Sequence, residues 1–153
     1  MTQTTPEEDL PELQTAPTTV FYAQDVLERK FANGEFDRLK DDLKQFVLRH
    51  KAEIRQAVEE LPQIVDRRMR IVETIRTCVE ESKSVSPAAE MADQINEINN
   101  EIWYRGEEGI TDRARISEEW TRRYAAQWRN ARLQELLFLV QAMADELVAL
   151  VEG

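Results

Sequence analysis

Histidine and cysteine each occur once in this chain, as His50 and Cys78. A single cysteine excludes an intrachain disulfide and a cysteine-rich zinc site, and it fits a reducing, cytoplasmic setting. A single histidine excludes the paired Glu-x-x-His ligand sets of di-iron bundles. Glycine and proline together number nine, too few for the turns a sheet needs, and no two-residue period is found. No run of about 18 apolar residues exists, so no membrane-spanning helix is expected. Also missing are a glycine-rich phosphate cradle, a nucleophile elbow and a dinucleotide fingerprint. The segment MTQTTPEEDLPELQTAPTT has no apolar centre and does not read as a signal peptide.

Charge and apolar content are plentiful. A third of the residues are charged and the net charge is -10, which argues against general nucleic-acid binding and against an anionic membrane surface. Hydrophobic residues make up 42% of 153 residues, enough for one core. The expected fold class is all-α: a bundle of about five helices, soluble and without a cofactor.

Residues 1–17 hold three prolines and four acids with no base, the composition of a disordered acidic tail. A single helical domain is expected over 18–153. Val20, Ala23, Leu27 and Phe31 share one helical face, and Asn33-Gly34 closes it. Phe36, Leu39, Leu43, Phe46, Val47, Ile54, Val58 and Leu61 form the stripe of a second helix. Pro62 ends or kinks it. A third helix then reads through Ile64, Val65, Met69, Val72, Ile75 and Val79. Ser86-Pro87 is a start signal, and Ala88, Met91, Ile95, Ile98 and Ile102 are the expected buried stripe of a fourth helix. Thr111-Asp112 caps a last helix running without a breaker to Glu152.

Between these two helices stands WYRGEEGITD. Gly106 sits where a helix ending at Tyr104 or Arg105 would want positive φ, so a turn explains the stretch. It is also a possible protein-docking loop, through Trp103, Tyr104, Arg105, Glu107 and Glu108. The flanking charges are more informative. Residues 87–110 carry six acids and one base, and residues 111–132 carry six bases and three acids. The expectation is a charge-matched antiparallel hairpin over 87–132, with Glu90, Asp93, Glu97 and Glu101 facing a basic stripe of Arg115, Arg122, Arg129 and Arg132. The same stripe could instead bind RNA or phosphate.

Trp120, Tyr124 and Trp128, spaced by four and in line with Ile116, read as core. Beyond residue 132 the chain is apolar nearly all round, and a helix of that kind must be enclosed by neighbours or by a second subunit. A straight helix over 112–152 would reach ~60 Å and overhang a compact domain. It therefore bends, or a homodimer buries it through Leu136, Leu137, Val140, Met143, Leu147 and Leu150.

His50 lies beside Phe46, Val47 and Ile54 and reads as packed or partly exposed rather than as a general base. Cys78, one turn beyond Ile75, reads as an inert thiol. One enzymatic route is open. Glu90 and Asp93 have the Glu-x-x-Asp spacing of magnesium-dependent all-α nucleotide pyrophosphohydrolases. The accompanying Glu-Glu-x-x-Glu helix is not complete, since Glu80-Glu81 is followed by Ser84 and Glu59-Glu60 by Gln63. The sequence therefore favours a non-enzymatic scaffold, adaptor or regulatory subunit acting through helix contacts, with a homodimer and a protein partner expected.

Overall fold

The structure, a computed structural model, describes residues 24–153. The acidic tail over 1–17 and the first residues of the expected first helix lie outside that range. Seven helices and no strand are found among the described residues: α1 Gln24–Ala32, α2 Asp37–Arg49, α3 Lys51–Val58, α4 Arg67–Ser82, α5 Pro87–Glu107, α6 Arg113–Ala142 and α7 Ala144–Glu152.

Seven replace five because two expected helices are each interrupted once, while the break at Pro62 separates the second and third as expected. At His50 (φ -106°, ψ 14°) α2 turns into α3, and at Met143 (φ -106°, ψ 19°) α6 turns into α7. Neither site is glycine or proline. The backbone ladder continues across both, His50 N to Phe46 O and Met143 N to Leu139 O, so each is a one-residue kink. After α3 the chain loops through Pro62, and α4 starts at Arg67, where Asp66 accepts from Met69 N. The cap sits beyond the expected start at Ile64. Val65 and Met69, read as stripe positions, are therefore exposed.

Two helices end as their glycines dictate. After α1, Gly34 takes φ +85° and the Glu35 and Gly34 amides reach back to Lys30 O and Phe31 O. After α5, Gly109 takes φ +86° while the Ile110 and Gly109 amides bond Arg105 O and Gly106 O. Both are the paired back-bonds of a Schellman end. Gly106 itself is helical, so the positive-φ role falls to Gly109, and α5 runs to Glu107.

The molecule has two parts. The body comprises α1 to α4, the second half of α6, and α7. Leu43, Val47, Ile54, Val58, Ile71, Ile75, Val79, Leu136, Leu139, Leu147 and Val151 are sealed inside it. Beyond Met143, α7 packs among α2, α3 and α4, which answers its all-round apolar surface with neighbours from the same chain. Arg55 fixes its far end, donating to the Val151 and Glu152 carbonyls at 2.7 and 3.1 Å. A cation at a helix C-terminus satisfies otherwise unpaired carbonyls. The second part is formed by α5 packed on the first half of α6, joined by the short turn at Gly109. Ser86 caps α5 and Pro87 opens it; Asp112 caps α6.

Candidate interaction surface and the ionic seam beneath it

Along α5 the residue types are inverted. The sequence places Ala88, Met91, Ile95, Ile98 and Ile102 on the inner face. In the structure Ala88, Met91 and Ile95 are exposed, Ile98 and Ile102 are half-buried, and Glu90, Glu101 and Arg105 are buried. Asp93 and Glu97 also turn inward. Every exposed residue from Pro87 to Gly106 is consequently uncharged, in a chain that is one-third charged. Met91, Ile95 and Trp103 are 61%, 49% and 62% exposed. Trp103 meets Tyr104 edge to face at 5.2 Å, so the outer strip ends in a pair of aromatics.

The inner face explains the rotation, because opposite charges meet along it. Arg105 donates through Nε to Glu101 at 2.8 Å and through Nη2 to Glu119 at 3.0 Å. Burial works against the Arg105 cation, but the bonds to Glu101 and Glu119 hold its pKa above the ordinary arginine value. Arg105 is thus a buried tie between the two helices and is not available to a docking loop. Trp103, Tyr104, Glu107 and Glu108 remain exposed. Nearer the start of α5, Glu90 is pushed upward in pKa by burial, which outweighs a Ser84 hydrogen bond and the attraction of Arg132 and Arg129.

At the junction with the body, Asp93 accepts from Arg38 of α2, bidentately, and from Arg132 of α6 at 3.0 Å. The Arg38 bonds in particular hold Asp93 below the usual carboxylate range. Arg132 also donates to Glu135 at 3.1 Å, and its guanidinium lies 4.5 Å from the Trp128 ring centre. These groups line a polar cleft of about 370 Å³, which also contains Glu97. Burial, reinforced by Asp93 and partly offset by Arg132, lifts Glu97 to about 7. A carboxyl titrating there could move a proton. The cleft has no serine, threonine, cysteine or histidine in its lining, however, and its charged groups, Lys30, Arg38 and Arg132 against Glu35, Asp93, Glu97 and Glu135, are mixed in sign.

Acidic α5 and α6 do pair through opposite charges, but largely with different cations. Arg132 joins the seam as expected. Arg115, Arg122 and Arg129 lie on the solvent face of α6 without a close ion pair to α5, although Arg129 is near enough to attract Glu90. Their place is taken by Arg105, read as a loop residue, and by Arg38, which no local pattern tied to α5. Arg123, also on α6, has a side chain only 7% exposed, lies 4.0 Å from Glu119 and makes no hydrogen bond. Ile116, Trp120 and Trp128 are buried, as the four-residue spacing indicated, and Tyr124 is half-buried.

The remaining candidate residues have other surroundings. Leu136, Val140, Met143 and Leu147 are 2% exposed or less, and Leu137 and Leu150 pack half-buried against the same core. The surface assigned to self-association is enclosed within the monomer, because the end of α6 and the whole of α7 both pack into the body. Asp93, one half of the Glu-x-x-Asp pair, is occupied by two arginines. Among the described residues no three acidic, histidine or cysteine groups converge as a cation site. His50 packs on Phe46 at 4.5 Å and lies 3.3 Å from Glu53. The Cys78 thiol is half-buried, with burial and then Glu53 and Glu81 raising its pKa, which disfavours the thiolate. No helix among the described residues is long and apolar enough to cross a membrane.

Comparison with protein-family models, with curated proteins and with solved structures finds no match to this chain.

Proposed function

We propose that this chain is a non-enzymatic helical interaction module, a scaffold, adaptor or regulatory subunit, and that the outer face of α5 is its docking surface. One observation carries the reading: the charge-free strip over Pro87–Gly106 that leaves Met91, Ile95 and Trp103 in water. Burying such a side chain is worth about 1.5–3 kcal/mol, yet α5 turns its carboxylates inward instead. Large apolar patches on otherwise polar proteins mark interaction sites. Ala88, Met91, Ile95, Ile98 and Ile102 recur in steps of three and four, the spacing by which one helix receives another. A reducing, cytoplasmic setting suits the lone, half-buried Cys78.

The test is thiol labelling of Ile95→Cys, in a Cys78→Ser background, in native extract and again after denaturation. Ala126→Cys, on an exposed position of α6, is the control. The expected outcome is that the thiol at position 95 is shielded in the extract while the thiol at position 126 reacts freely. Equal labelling of both in the native state would sink the reading.

A further inference from the structure

We infer that the occupant of the α5 strip is a second copy of this chain, laid antiparallel across a twofold axis at Ile95. This occupant presupposes the docking surface above and gives it a partner. It also moves self-association from the C-terminal helix, whose side chains the body encloses, to α5.

Electrostatics singles out the strip. Each chain carries a net charge of -10, so long-range electrostatics opposes the approach of two copies, least at a face that carries no charge. Like charges placed opposite one another across an interface are penalised severely. The strip from Pro87 to Gly106 exposes no charged side chain. Over the ~30 Å that such a helix spans at 1.5 Å per residue, two acidic chains can touch without placing carboxylate on carboxylate. A partner of different sequence would more simply be drawn to an acidic protein by complementary charge, and the strip offers none.

Shape agrees with a second copy. An isologous contact requires the strip to complement itself when reversed. Ile95 stands midway between Ala88 and Ile102 in the sequence. Reversal about Ile95 sets the small Ala88 of each copy against the large Ile102 of the other, and Met91 against the neighbourhood of Ile98 and Asn99. Bulk meets space at both ends. A parallel pairing would instead set Trp103 against Trp103. Reversal also carries Glu107 and Glu108 of one copy toward the start of α5 in the other. The positive helix end and Lys83 stand there, with Glu80 and Glu81 close by in the sequence, so the local charge is mixed.

The strip offers such a partner Met91, Ile95 and Trp103, 61%, 49% and 62% exposed, with the uncharged Asn96 and Asn99 beside them. The product is a four-helix arrangement, α5 and α6 from each copy, with the exposed stripe of Arg115, Arg122 and Arg129 still free on each.

Light scattering on the purified full chain at micromolar concentration should give twice the 17.9 kDa of one chain. Ile95→Asp sets two carboxylates face to face and should weaken the dimer on the order of 100-fold or more. Geometry is read separately by thiol–disulfide exchange with oxidised glutathione in the Cys78→Ser background. Ile95→Cys should join two copies. Ala88→Cys and Ile102→Cys should each stay unlinked alone but crosslink when mixed, since that pair meets only in the antiparallel arrangement. A monomeric wild type, or a dimer that Ile95→Asp leaves intact, would overturn the inference. If the pure protein is monomeric while the Ile95→Cys thiol is still shielded in extract, the occupant is another protein and the docking surface stands. If that thiol is open in both, both fail.

Discussion

In the body, α7 is apolar on nearly every side, and the chain covers each side with α2, α3, α4 or α6. Outside the body, α5 has one apolar face and one acidic face, and the chain covers the acidic one. Apolar burial prevails wherever enough neighbours are available to supply it, as around Leu147. Beyond the body α5 has essentially one neighbour, α6. The face that wins is then the one with specific partners, Arg105 and Glu119 at the tip and Arg38 and Arg132 at the base. Buried ion pairs contribute little net stability, because desolvation offsets attraction, but breaking one is costly. The α5–α6 pair should accordingly be the less stable part and the more exacting about its charges.

Substitutions in the two parts sharpen that contrast. Leu147→Ala, at a fully enclosed site in the body, should cost about 2–5 kcal/mol in chemical denaturation. A loss under about 1 kcal/mol would mean that the core is far looser than its burial indicates. Arg105→Ala strands Glu101 and Glu119 in the seam and should cost about 2–3 kcal/mol, below the ~3–5 of a deep pair because the tip is close to solvent. Replacing all three together, Glu101→Leu, Arg105→Met and Glu119→Leu, should restore most of that loss. If the triple variant is worse than Arg105→Ala, the seam contributes net stability after all.

The smallest effect is tied to pH. The folded pKa of Glu97 is raised from 4.5 to about 7, so ionisation opposes folding. Below about 4.5 the carboxyl is protonated in both states and carries no penalty. Across 4.5 to 7 stability is lost as the pH rises. Glu97→Gln should therefore raise Tm at about pH 8 by an amount worth about 1 kcal/mol, discounted for the solvent that reaches a partly exposed group. Below the unfolded value it should change nothing. Equal stabilisation at both pH values would assign the effect to shape rather than charge.

The body is largely legible in the sequence. Leu39, Leu43, Phe46, Val47, Ile54 and Val58 repeat at helical spacing, and all are buried. Ser86-Pro87 and Asp112 begin helices where their chemistry requires. The kinks at His50 and Met143 are not legible, because no breaker residue marks them and long-range packing sets them. Asp66, three residues before Met69, is a readable cap that the apolar run through Ile64 and Val65 obscures. The orientation of α5 is the feature the sequence conceals most. Periodicity locates a stripe but is silent on whether the stripe faces inward, and the decisive cation, Arg38, is 55 residues from Asp93. The alternation of acidic and basic helices does foretell which helices pair, but it cannot say that Arg105 rather than Arg122 enters the seam.

Finally, α6 belongs to both parts. Its 30 residues run without a break from Arg113 to Ala142, carrying Trp120 against α5 and Leu136 and Leu139 in the body core. No flexible joint separates the two stretches. A push against α5 is thus not absorbed in a linker. Like force on the long arm of a lever, it arrives in the body as a displacement of Leu136 and Leu139, whose close packing leaves little room to give.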